Sequence, residues 1–302
     1  MRIKSLFIPV IILLFGFHAK SQDNSTQLFK DRGEVFFKFN VGSQKDIHFL
    51  TQTISIDEVE GSLVFAYANE KEFSKFMETG IDYTILSHPG DIENPNMKSN
   101  VNVKGITDWD FYPTYEAYVS MMNQFQADYP NLCEVFSIGQ TVENRELLVA
   151  RISDNVGTDE GEPQFLYTST MHGDETTGYP LMLRFIDYLL SNYGSDDRIT
   201  GMVNNIDIFI NPNANPDGTY HGGNSSVNGA QRYNGNNVDL NRNYPDPQDG
   251  PHPDGEAWQP ETLAFMAFAE SYHFVMSSNI HGGAEVCNYP WDTWSTLAAD
   301  DD

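Results

Sequence analysis

The chain has two cysteines, Cys133 and Cys287, in 302 residues. A disulfide-dense scaffold is therefore excluded, and a Cys-rich metal cluster with it. Basic residues are also scarce: Lys and Arg together number 17 against 43 Asp and Glu, a net charge of −26. Such a chain repels polyanions, which argues against nucleic acid and anionic membrane as partners. No apolar run beyond residue 21 approaches membrane-spanning length, and no internal repeat or low-complexity tract occurs. What is present is a core-forming composition, 40% hydrophobic and 13% aromatic, enough for globular domains rather than a disordered chain.

The first 21 residues read as a leader. Arg2 and Lys4 precede an apolar stretch, Leu6 to Phe17, and Ala19-Lys20-Ser21 places small residues where a signal peptidase cuts. The stretch is short for a membrane span. The expectation is an exported protein, extracellular or periplasmic, without a membrane span after cleavage. An uncleaved N-terminal anchor is the alternative.

Residues 22–90 read as a small α+β domain. Strands are expected at Glu34–Asn40, Ser55–Val59, Leu63–Ala68 and Tyr83–Leu86. Helices are expected at Ser43–Thr53 and Glu70–Met77. The order β-α-β-β-α-β is that of a ferredoxin-like layer. Residues 91–108, rich in Pro, Asn and Gly, read as a linker. From 109 to 302 strands alternate with helices: Gln164–Thr170, Gly178–Leu190, Ile206–Ile210, Glu261–Tyr272 and Phe274–Ile280 are the clearest. This alternation predicts an α/β domain with a largely parallel or mixed sheet.

Two histidines fall at strand ends. His172 follows the Gln164–Thr170 strand with Glu175 three residues on, and His281 follows Phe274–Ile280 directly. Ligands of open α/β sheets gather outside the carboxyl ends of strands. Two histidines and one glutamate there form a donor set that suits catalytic zinc with one position left open. Each His alone is equally well read as a hydrogen-bonded loop residue. Arg242 sits in Asp239-Leu240-Asn241-Arg242-Asn243-Tyr244-Pro245, and Arg232 lies just upstream. In so acidic a chain each Arg suits either a structural ion pair or the fork-like grip of a carboxylate.

Together these residues resemble the zinc metallocarboxypeptidases, particularly the branch of carboxypeptidases N, E and D. The matching pieces are His172-Gly173-Asp174-Glu175, Asn211 to Gly218, Asp239 to Pro245, Gln259-Pro260-Glu261-Thr262, and Asn279 to Glu285 with Asn288-Tyr289-Pro290. They span about residues 110–302 in the family's order. The resemblance implies an α/β/α fold and one zinc ion held by His172, Glu175 and His281. It also implies that Asn241 and Arg242 grip a free C-terminal carboxylate, while Arg232 polarises the scissile carbonyl and steadies the oxyanion. Asp292, just after Tyr289-Pro290-Trp291, would favour a C-terminal Lys or Arg. Peptide or protein C-termini are the implied partners, and a monomer the implied state.

Two further expectations follow from the resemblance. Residues 22–104 read either as an inhibitory prodomain or as a permanent accessory domain. The family's general-base Glu lies well beyond the third metal ligand, whereas the chain ends 21 residues after His281. That departure predicts a C-terminally truncated catalytic domain, inactive as it stands. Its competing reading is an inactive module that binds zinc and C-terminal carboxylates without turnover.

Overall fold

The computed structural model describes residues 29–158, 160–283, 286–289 and 294. The expected leader, Glu285 and Asp292 lie outside the described residues. Among those described, no helix is long and apolar enough to cross a membrane. Cys133 is buried, Cys287 is exposed, and both are free thiols.

The N-terminal layer is a four-stranded antiparallel sheet of β1 (Glu34–Asn40), β2 (Ser55–Glu60), β3 (Leu63–Asn69) and β4 (Tyr83–Ile85), in the order β2-β3-β1-β4. Helices Gln44–Thr51 and Glu70–Glu78 join its strands. Strand periodicity explains its sidedness. Val35, Phe37 and Phe39 share one face of β1 and pack with Phe73 and Phe76 of the second helix. That helix starts cleanly because Asn69 and Glu72 form a reciprocal capping box, which satisfies two otherwise orphaned amides. The opposite face carries Glu34, Phe36 and Tyr67, and it turns toward the rest of the chain.

After a short parallel pair, β5 (Met97–Lys98) with β6 (Tyr112–Pro113), the body forms a second sheet. Its strands are β7 (Cys133–Gln140), β8 (Glu146–Ile152), β9 (Gln164–Ser169), β10 (Asp207–Asn211) and β11 (Phe274–Ile280), in the order β11-β9-β10-β8-β7. Strands β9, β10 and β11 run parallel, while β8 and β7 are antiparallel to their neighbours. β10 is buried at every position, and its two faces serve different cores. Ile208 and Ile210 pack with helices Tyr115–Asp128 and Gly178–Asn192, and Phe209 packs with Phe268 of helix Pro260–Ser271. Cover on both faces is why this strand reads as a continuous apolar run rather than an alternating one. The result is the expected three-layer α/β/α body with a mixed sheet.

The segment expected as a linker is packed rather than loose. Val103 is buried in the larger core, and Ile92, Met97, Val101 and Ile106 lean on it. Composition alone obscured this, because isolated apolar residues between Pro and Asn carry no periodicity. The helix Asp197–Val203 was likewise not expected: it is seven residues long, held by its Asp196 cap.

Candidate metal centre and cleft

Parallel β9 and β11 put their carboxyl ends at one edge, with Ile280 in register with Ser169. His172 and His281 therefore leave the sheet side by side. Thr170, between β9 and His172, has φ +59°. A β-branched residue rarely adopts this left-handed conformation, so the turn stores strain where the chain swings into the site. The Thr170 hydroxyl donates to the Glu175 carbonyl at 3.3 Å, which helps hold the turn. Gly173 allows a close approach: a Cβ there would stand 2.3 Å from the Gly218 carbonyl carbon. Hence the Asn211–Gly218 loop can pack directly under the His172–Glu175 turn.

The structure brings His172, Glu175 and His281 together, with ligand-capable atoms all within 4.8 Å of one another. His172 Nδ1 lies 2.7 Å from Glu175 Oε1 and 3.1 Å from His281 Nδ1. His281 Nδ1 lies 3.0 Å from Glu175 Oε2. His172 Nε2 faces Asp239 Oδ1 at 3.2 Å. An imidazole that gives its Nε2 proton to a carboxylate offers a lone pair at Nδ1, the usual arrangement of a metal-ligating histidine. Two ring nitrogens and a carboxylate turned toward one point are then satisfied by a shared cation. The separations approach the roughly 3.3 Å expected between ligand atoms of a tetrahedral zinc site. The donor set and its geometry fit zinc.

Charge in the site is tightly balanced. Burial works against the Glu175 carboxylate, but His172, His281 and Arg232 outweigh it and hold its pKa well below the usual range. Burial and Arg232 both disfavour a charged His172 ring, yet Asp239 and Glu175 leave its pKa above the ordinary value. Burial and the nearby Glu34 charge raise the Asp174 carboxyl to about 6.

The two arginines have different surroundings. Arg232 is 3% exposed. Its Nε donates to Asp239 Oδ2 at 3.1 Å, and its Nη1 stands 3.5 Å from Glu175 Oε1 and 3.7 Å from Asp57 Oδ1. The Tyr67 ring lies 5.0 Å beneath its guanidinium. Arg242 ends a single 3₁₀ turn, Leu240–Arg242, capped by Asp239. Its Nη1 donates at 3.2 Å to the carbonyl of Asn241, and the residue is half-buried at the cleft. Arg242, Asn241 and the metal-ligand candidates line one cleft of about 1890 Å³, walled on the other side by the N-terminal layer.

Asp239 was not singled out by sequence reasoning, nor were Asp57 and Tyr67. Asp239 bonds both His172 and Arg232 and also accepts from Ser55 Oγ and the Asn241 amide. Its signal was its position at the head of the Asn241-Arg242 motif. Asp57 and Tyr67 come from the other layer and carry no local signal. Asp292, the expected specificity residue, lies outside the described residues.

The sequence profile of the family described as zinc carboxypeptidase matches residues 118–302. Mouse carboxypeptidase D is 42% identical over 217 residues, covering 68% of this chain and 15% of its own length. The catalytic chain of human carboxypeptidase N is 36% identical over 200 residues, covering 59% of this chain and 44% of its own. The chain thus spans less than half the length of these relatives. Among solved structures, carboxypeptidase A of Helicoverpa armigera superposes with a TM-score of 0.60 at 21% identity, over 84% of this chain and 71% of that one. At that identity the likeness speaks for the fold.

Proposed function

Because the chain belongs to the zinc carboxypeptidase family, we propose that it acts at the free C-termini of exported peptides or proteins, hydrolysing the last peptide bond. The observation that carries this reading is the placement of His172, Glu175 and His281 in one cleft with Asn241 and Arg242. Mouse carboxypeptidase D and human carboxypeptidase N are named for the same activity class. One zinc ion per catalytic domain, held by those three side chains, would polarise the scissile carbonyl and lower the pKa of a water toward ~7.

The chain's own residues supply binding and orientation. Among the described residues Arg242 bonds its neighbour's carbonyl, which leaves most of its planar fork to a terminal carboxylate. Asn241 precedes it on the same turn and can add an amide donor. Arg232 is buried next to Glu175, where a fixed cation strengthens the stabilisation of developing negative charge. Asp239 holds the His172 ring and the Arg232 side chain in one orientation through its two oxygens. A preference for C-terminal Lys or Arg through Asp292, export through the 1–21 leader and a monomeric state belong to the same proposal.

The test compares zinc-loaded chain binding to an N-acylated dipeptide with that to its C-terminal amide, followed by product analysis. Tight binding of the acid and weak binding of the amide is expected. Equal binding of both would refute carboxylate recognition. Binding without product would support carboxylate recognition without turnover. Dipeptides ending in Arg and in Phe, compared side by side, test the preference assigned to Asp292.

A further inference from the structure

Outside the metal centre, a cluster of buried titratable groups joins the N-terminal layer to the body. Glu34, the first residue of β1, is 1% exposed. Its Oε1 accepts the Arg232 backbone N–H at 2.6 Å, and its Oε2 accepts the Tyr233 N–H at 3.1 Å. Two successive amides of the body are thus held by one carboxylate of the other layer, 198 residues away in sequence. His88 completes the arrangement, its Nε2 lying 2.7 Å from Glu34 Oε1. His88 Nδ1 accepts the Gly90 N–H at 3.0 Å, so the ring proton sits on Nε2 and is donated to Glu34. Asp174 stands third in the cluster, close enough that Glu34, His88 and Asp174 resemble a metal-ligand set. The Nε2 proton argues otherwise, because it leaves that nitrogen no lone pair to give. The cluster is therefore a hydrogen-bonded latch.

The latch closes on the segment that carries Arg232. The Gly90 carbonyl accepts the Gly229 N–H at 2.8 Å. A Cβ on Gly90 would lie 1.9 Å from the Ala230 carbonyl oxygen, so the two backbones meet without room for a side chain. Beyond the latch, the same layer supports the Arg232 guanidinium with Tyr67 below and Asp57 at its side. The main chain of this arginine is held from outside the body, while its side chain is shared between Asp239 and Glu175 of the body and Tyr67 and Asp57 of the layer.

The geometry assigns Glu34, seconded by His88, as the positioning residue that fixes Arg232 against the metal centre, making the N-terminal layer a supporting wall of the site. This rests on the carboxypeptidase reading, in which Arg232 steadies charge developing on the substrate. Removing the latch should weaken recognition of a charged tetrahedral centre and spare recognition of the terminal carboxylate by Arg242.

The experiment uses the full zinc-loaded chain, its Glu34→Gln and Glu34→Asp variants, and two ligands. One is an N-acyl dipeptide with a free carboxylate, and the other is its phosphonate analogue. Gln keeps the size but turns a donor toward a donor, and Asp keeps the charge but retracts it by one methylene. Wild type is expected to prefer the phosphonate. In Glu34→Gln that preference should fall by about 10-fold or more, with dipeptide affinity changed less than about 3-fold, a difference well under 1.4 kcal/mol. Glu34→Asp should lie between, and it carries the test if the Gln variant does not fold. An unchanged preference in the folded variants overturns the positioning role. Equal weakening of both ligands also overturns it, since that is a general structural effect. A wild-type chain with no preference for the phosphonate would instead count against the carboxypeptidase reading itself.

Discussion

Arg232 and Arg242 line one cleft, and their surroundings differ in nearly every respect. Arg232 is buried among Asp239, Glu175 and Asp57, over the Tyr67 ring, with its backbone gripped by Glu34. Arg242 is half-buried and bonded to a neighbouring carbonyl. The same side chain is preorganised in one case and available in the other. Burial next to compensating carboxylates strengthens a fixed cation's field and makes its loss costly. Partial exposure keeps a guanidinium free to exchange water for an incoming carboxylate, at little consequence for the fold. This contrast separates a residue suited to steadying charge from one suited to catching a ligand.

The largest expected effect breaks the buried site. Asp239→Ala leaves Arg232 without its closest partner and His172 without its orienting acceptor. Stability measured by denaturant unfolding should fall by about 3–5 kcal/mol, and zinc affinity by about 10- to 100-fold. A loss under about 0.5 kcal/mol, the ordinary range for a surface substitution, would mean that the buried site is not held through Asp239.

A smaller effect concerns the seam between the layers. Glu72 accepts from the Tyr233 hydroxyl at 2.7 Å, and burial raises its carboxyl from 4.5 to about 7. A carboxyl whose pKa is raised in the folded state favours the protonated form there. Its contribution is full below the unfolded value and is lost as pH rises through about 7. Wild type should therefore lose up to about 3 kcal/mol between those two pH values, and Glu72→Gln should flatten that dependence. Matching Tm-versus-pH curves for the two proteins would show that Glu72 is not the titrating group.

The smallest change in stability is expected at Arg242. Arg242→Ala should leave unfolding free energy within about 0.5 kcal/mol of wild type. It should weaken binding of a dipeptide acid by about 2–5 kcal/mol, while leaving the corresponding amide nearly unaffected. If Arg242→Ala instead destabilised the fold as much as Asp239→Ala, the contrast between the two arginines would collapse.

Much of this architecture could be read before any coordinates. The apolar run of β10 and the alternation of β1 announce a strand buried on both faces and a strand buried on one. His172, Glu175 and His281 were legible because strand ends and ligand chemistry coincide, and Asn241 and Arg242 because the motif places them together. What escaped notice depends on distance along the chain. Glu34, Asp57 and Tyr67 reach the site only because the two layers dock, and no local pattern records a contact across almost two hundred residues. Asp239 sat inside a recognised motif, but its role is visible only once His172 and Arg232 flank it. The packed segment around Val103 looked like a linker because its apolar residues keep no period.

The most direct test of the account is the zinc content of the purified chain after equilibrium dialysis against limiting zinc, measured by elemental mass spectrometry beside His281→Ala and Arg242→Ala. One zinc ion per chain in wild type, loss in His281→Ala and retention in Arg242→Ala is the predicted result. A wild-type chain that holds no zinc, or a His281→Ala chain that holds it as tightly as wild type, would contradict the assignment of the metal centre.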